Sequence, residues 1–240
     1  MRKLCLLVAA ACVLAVASPA RAQSSSDFTA YLALIFTPPA ALPPVVTSTM
    51  LGRSASGTQF ALRYGHLSEE GTGVNTFAGT LEVPAGTKAS FGLTAGYLTF
   101  SGCDGCDGHF LAGVSGQGTL ASSRLGAEGG GDAALLTIGL RGEVGFAKPT
   151  DATILTLTAG LPVALAAGGP TLKVAPFLTP AIGFGRVSNG LSESGNRFLL
   201  GGGVGIVSTT NGLGATVGFQ KTFIEGGSTT VGVNVMLGMK

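Results

Sequence analysis

The sequence predicts an all-β protein, an antiparallel transmembrane β-barrel of about ten strands behind a short non-barrel leader. Eight and twelve strands are the alternatives. Three observations predict this class. The chain opens on an export signal, nothing after that signal is apolar for long enough to span as a helix, and period-two alternation repeats to the last residue. The final stretch shows the pattern most plainly. Val231, Val233, Val235, Leu237 and Met239 fall on one side, and Thr230, Gly232, Asn234, Met236, Gly238 and Lys240 on the other. A strand that alternates in this way separates two environments: an apolar one, and one that admits small or polar side chains. In a membrane barrel these are lipid and lumen.

Met1-Arg2-Lys3 is a basic start, Leu4 to Ala17 is an apolar run, and Ser18-Pro19-Ala20-Arg21-Ala22 ends in an Ala-x-Ala site. These are the three parts of a secretory signal peptide, so residues 1–22 are expected to be removed. Cys5 and Cys12 lie inside the signal, and no Cys sits just after the cleavage site, which argues against a lipid anchor. Cleavage removes Arg2, Lys3 and Arg21. The 14 basic residues become 11 against 12 acidic ones, so the mature chain is near −1. That balance excludes a nucleic-acid surface. The mature chain is glycine-rich, poor in charge and without Trp. For such an exported chain the rival class is a secreted β-sandwich or adhesin domain.

Residues 23–56 do not alternate. Ser26 or Asp27 is a candidate helix cap, with Phe28, Tyr31, Leu32 and Ile35 on one face of a short helix. Pro38-Pro39 ends it, and Pro43-Pro44 keeps the following chain extended. An amphipathic plug, a periplasmic docking helix and a leader without fixed order all fit, and Val45 to Leu51 is an ambiguous strand.

The barrel is expected over residues 57–240. Phe60, Leu62 and Tyr64 oppose Gln59, Ala61 and Arg63. Beyond Leu67 to Gly71, Phe77, Gly79, Leu81 and Val83 oppose Thr76, Ala78, Thr80 and Glu82, and Pro84-Ala85-Gly86-Thr87 turns the chain. Lys88 to Phe100 and His109 to Leu120 follow, with a glycine-rich connection over Ser122 to Asp132. Ala133 to Phe146, Ala152 to Leu165 and Leu172 to Val187 come next. Pro176 and Pro180 weigh against the last of these as a central strand. Arg197 to Val207, Leu213 to Phe223 and Thr229 to Met239 complete ten, with Asn211-Gly212 as a hairpin turn. If the first strand runs outward, Tyr64, Phe77, Tyr97, Phe110, Phe146, Phe184, Phe198 and Phe223 all lie near the outward ends on the lipid parity. That arrangement is an aromatic girdle, which a soluble sandwich gives no reason for.

With signal, alternating strands and terminal strand in view, the chain resembles the small outer-membrane β-barrels of Gram-negative-type bacteria, the opacity-like superfamily, from about Gly57 to the end. The resemblance is one of pattern. It implies a bacterial outer-membrane location, contact with outer-membrane lipid, passage through the barrel-assembly machinery and a monomeric barrel. Members usually end in an aromatic residue read by that machinery, where this chain ends Met239-Lys240.

Chemistry has few places to reside. The lumen-parity charges are Arg63, Glu82, Lys88, Arg141, Glu143, Lys173 and Arg197. They read as a salt-bridged interior in preference to a selectivity lining for small solutes, because narrow barrels leave room for little beyond side chains. Cys103 and Cys106, in Cys-Asp-Gly-Cys-Asp, read as a loop disulfide, since an exported chain with two mature cysteines offers no other partner. A zinc site needs four ligands, and His109 alone is close in sequence. His66 and His109 fall at the outer rim as solvated interface residues, with Ser68, Glu69 and Glu70 near His66. Outer-membrane lipid A deacylases use a His/Ser/acid grouping and omptin proteases use Asp and His pairs, and this sequence matches neither residue by residue. No catalytic, cofactor or metal residues are assigned. The expected function is non-enzymatic, envelope-structural or loop-presenting, with a narrow channel as the alternative.

Overall fold

The fold is taken from a computed structural model of the chain. Residues 1–32, 46, 48–49, 51–56, 70–71, 103–105, 127–133, 150–151, 170, 189–191, 209, 211, 224–228 and 239–240 lie outside the described residues. The strands are β1 (Gln59–Glu69), β2 (Thr72–Pro84), β3 (Ala89–Ser101), β4 (His109–Leu125), β5 (Ala134–Ala147), β6 (Thr153–Gly160), β7 (Val163–Ala166), β8 (Leu172–Ser188), β9 (Ser192–Ser208), β10 (Gly214–Phe223) and β11 (Thr229–Gly238). Chain neighbours pair antiparallel, and β1 meets β11 from Gln59↔Gly238 to Leu67↔Thr230. β6 and β7 both lie between β5 and β8 and form one interrupted stave, so ten staves close into a ring. A closed ring leaves no unpaired edge, which is what hydrocarbon demands and what a two-sheet sandwich lacks.

Three local departures from simple alternation have physical causes. The stave expected as one strand from Ala152 to Leu165 breaks at Leu161-Pro162, where proline has no N–H to give. Pro176 and Pro180, which weighed against a central strand, instead sit inside an unbroken β8. Leu161 donates to the Pro180 carbonyl at 2.9 Å, and the reciprocal bond is the one proline lacks. On the alternation of an antiparallel ladder, Pro176 faces the same stave, between the Ala167↔Val174 bridge and the Val163↔Leu178 pair. Both missing donors therefore point at the stave already broken, and neither removes a bond to β9. Finally, β4 does not end near Leu120 but runs to Leu125. A bulge between Thr119 and Ala121 shifts the register, and Ser122↔Thr137 to Leu125↔Ala134 extend the hairpin into the stretch read as a connection.

The two faces of the sheet differ as the alternation requires. Leu62, Phe77, Leu93, Val114, Leu140 and Val233 stand exposed on the outside. Among the described residues no helix is long and apolar enough to cross a membrane. The apolar exterior belongs to strands.

The inside is filled by the leader. Residues 33–35 are helical, α1 (Pro38–Ala41) is a single turn entered through Pro38, and residues 43–45 are without regular structure. No strand forms among the described residues of 45–50. Phe28, Tyr31 and Leu32 of the expected helical face lie outside the described residues. Ala33, Leu34, Ile35, Leu42, Val45 and Met50 are all buried. Each large aliphatic side chain removed from water in this way contributes about 1.5–3 kcal/mol before ordering costs.

Candidate functional site in the barrel lumen

The lumen has three layers. At the mouth where β3 ends and β4 begins, Leu67, Val74, Leu98, Leu111 and Ile154 surround Ala33 and Ile35, with Phe36 and Phe100 packed against them. At the opposite mouth Met50 packs with Ala61, Ala164, Ala166, Phe177, Val207 and Met236. Between these apolar seals lies the polar layer.

Arg63 is the centre of that layer and is 3% exposed. Its guanidinium donates to the Pro43 carbonyl at 2.9 Å, the Leu42 carbonyl at 3.3 Å and Thr80 Oγ1 at 3.5 Å. The leader backbone thus supplies acceptors that water would otherwise supply, and Leu42 and Pro43 owe this role to the bend after α1, which leaves their carbonyls free of helix. Glu143, Arg141 and Glu82 are the charges that act on Arg63. Arg141 and Glu143 form an ion pair at 2.8 Å on alternate residues of β5. Glu82 accepts from Ser90 Oγ at 2.6 Å and from Gln117 Nε2 at 2.9 Å, tying three strands together. Thr37 Oγ1 and Thr156 Oγ1 are 2.8 Å apart and pin the leader to β6.

The glycines of the inner face are the complement of the leader's prolines. A Cβ at Gly201 would stand 2.6 Å from Pro44 Cγ, one at Gly232 would stand 3.0 Å from Pro43, one at Gly113 would stand 3.1 Å from Pro38 Cγ, and one at Gly183 would stand 2.7 Å from Leu34 Cδ2. At Gly65 it would meet the Ala41 carbonyl. Here the missing side chain is what lets the leader lie against the wall. A small cavity remains beside Leu42 and Pro44, bounded by Arg141, Glu143, Thr179 and Gln220.

The lumen charges read from sequence divide into two groups. Arg63, Glu82, Arg141 and Glu143 come together in the polar layer. Lys88 does not: it lies exposed in the β2–β3 turn, one residue before the strand begins. Lys173 and Arg197 are half-buried on the inward parity, Lys173 near the start of β8 and Arg197 near the opposite mouth. The aromatic residues of the expected girdle face outward. Tyr64↔Phe77↔Tyr97↔Phe110 is a continuous row across four strands, and Phe198↔Phe223 is a second. Ring centroids along these rows are 4.9, 5.0 and 5.2 Å apart for Tyr64–Phe77, Tyr97–Phe110 and Phe198–Phe223. Phe146 and Phe184 are exposed on the same face at other levels.

The two histidines part company. His66 stays on the outside, its Nδ1 2.9 Å from Asn75 Oδ1, which also accepts from the Tyr64 hydroxyl at 2.9 Å. His109 is not a solvated rim residue. It starts β4 on the inward parity and is buried, its ring 5.9 Å from Phe36 and 6.1 Å from Phe100. Cys106 is exposed and disulfide-bonded, and Cys103 lies outside the described residues. Among the described residues no three of His, Cys, Asp and Glu converge on a metal position. The leader's place was one of three readings the sequence left open, the amphipathic plug. The signal available was the pairing of an apolar, twice-prolined segment with inward glycines on several strands.

Closed ring, apolar exterior and aromatic rows together define the class, an integral membrane β-barrel of the outer-membrane kind. No protein-family model matches the chain, and no curated protein matches it in sequence. Solved structures similar to it include the outer membrane enzyme PagL (12% identity, TM-score 0.37, 75% of this chain and 99% of that one). The N-terminal β-barrel domain of Pseudomonas aeruginosa OprF (12%, 0.30, 75% and 97%) and Ail, the attachment invasion locus protein of Yersinia pestis (11%, 0.31, 75% and 97%), are similar on the same scale.

Proposed function

We propose that this protein is a non-enzymatic, monomeric barrel of the bacterial outer membrane that reinforces the envelope, its lumen closed by its own leader. In this reading a signal peptide is cleaved after Ala22, the assembly machinery inserts the barrel, and the aromatic rows sit at the outer interface. The observation that carries the reading is Arg63 bonded to the Leu42 and Pro43 carbonyls across the middle of the lumen. A through-path for solute would need those bonds broken. The test is conductance in a planar bilayer. The full chain is expected to give no steady openings, and a variant lacking residues 33–50 is expected to conduct if it still closes its ring. Steady openings of the full chain, altered by Arg141→Ala or Glu143→Ala, would overturn the proposal. They would favour a narrow solute path along the cavity beside Leu42 and Pro44.

A further inference from the structure

The leader has a direction, and the direction has a consequence for which end of the chain reaches which side. Leu34 lies against Gly183, and Phe36 stacks edge-on against Phe100 at 5.6 Å, next to the row formed by Tyr97 and Phe110. Thr37 follows at Thr156, Leu42 and Pro43 at Arg63, and Met50 reaches Ala61 and Met236 at the far mouth, where β1 starts and β11 ends. The segment therefore crosses the lumen from the aromatic-row mouth to the mouth of the carboxyl end. Among the described residues, apolar side chains close around this crossing at both mouths, and the small cavity beside Leu42 and Pro44 is what remains between them.

We propose that the barrel is an anchor that presents the mature amino end on the cell surface. After cleavage at Ala22, ten residues precede Ala33 (33 − 23 = 10). Extended, ten residues reach about 33 Å, ample to clear the mouth. Gln23-Ser24-Ser25-Ser26-Asp27 is wholly polar and suits water, not the apolar seal or lipid. The outward-facing mouth is the one proposed above, so this inference rests on that orientation. It does not need the lumen to be insulating.

The experiment uses the full chain, with Cys103→Ser and Cys106→Ser to remove native thiols, and an impermeant maleimide on intact cells. Ser25→Cys reports the amino end. Lys148→Cys reports the aromatic-row end, and Thr87→Cys reports the opposite end; both positions are exposed. The expected result is labelling of Ser25→Cys and Lys148→Cys in intact cells, with Thr87→Cys labelled only after the cells are opened. Protection of Ser25→Cys while Lys148→Cys labels would overturn the direction of threading. Labelling of Thr87→Cys alone would overturn surface presentation by inverting the barrel. Should Ser25→Cys fail to accumulate, an epitope inserted between Ser26 and Asp27 replaces it. Antibody binding to that epitope on intact cells supports presentation, and binding only in opened cells overturns it. Bilayer conductance decides the closed-lumen reading separately.

Discussion

The outer and inner faces of this sheet are made by the same strands, one residue apart, yet they are held dry by different means. The outside presents large apolar side chains singly, Phe110 at 77% and Ile182 at 64% exposed, and depends on lipid to cover them. The inside presents Thr, Gly, Asn and charge, which reads as a wet surface. Asn234 is nevertheless 0% exposed, opposite Arg63 across the β1–β11 seam. Polarity of a face is therefore a poor guide to its exposure when a segment of the same chain fills the lumen.

The largest expected effect lies inside. Arg63→Ala should cost about 2–6 kcal/mol, since it leaves the buried Leu42 and Pro43 carbonyls without their donor, at about 1–3 kcal/mol each. Urea unfolding from lipid vesicles measures it, and a cost within error of zero would mean the polar layer is solvated. Next come outward charges. Val233→Arg or Leu140→Arg should cost about 2–4 kcal/mol near the midplane. The alternation alone suggests that Asn234→Arg is milder. Its register beside Arg63, in a dry interior, reverses that, and it should match or exceed Val233→Arg. A milder Asn234→Arg would restore the wet-lumen picture.

Gly201→Val should come third, at about 1–3 kcal/mol of overpacking against Pro44. It should also raise conductance by displacing the leader; destabilisation without conductance would separate packing from closure. The smallest effect belongs to Cys103→Ser with Cys106→Ser. A loop this short places the loss at the low end of about 0–5 kcal/mol. The double variant should still insert and keep a heat-modifiable band on a detergent gel, and maleimide should label the native protein only after reduction.

The ring was legible because alternation is a local signal: each strand announces its two faces without knowing its neighbours. Strand ends were less so. β4 continues past Leu120 because a bulge resets its parity, which no single-strand pattern reveals. Pro176 and Pro180 weighed against a central strand because the sequence does not say which neighbour a missing donor faces. Of the lumen cluster, Arg63, Glu82, Arg141 and Glu143 were readable from parity, whereas Lys88 failed because parity continues through a turn that has already left the wall. The leader was readable as a plug but not separable from a docking helix or an unordered leader, for a different reason. Its partners are glycines scattered from Gly65 to Gly232, and nothing periodic links them to Pro38, Pro43 and Pro44.

The seam between β1 and β11 bears on how the protein is made. Gln59 and Gly238 are opposed across it while 179 positions apart in sequence (238 − 59). Pairing at that separation gathers its loop-closure penalty before any reward, so it belongs among the slow events of assembly. Until it happens, the leader has walls on some sides only and its aliphatic groups still meet solvent. Enclosure of the leader and joining of the first and last strands are thus one cooperative step. A substitution on either partner should register in the rate of barrel closure before it registers in the finished fold.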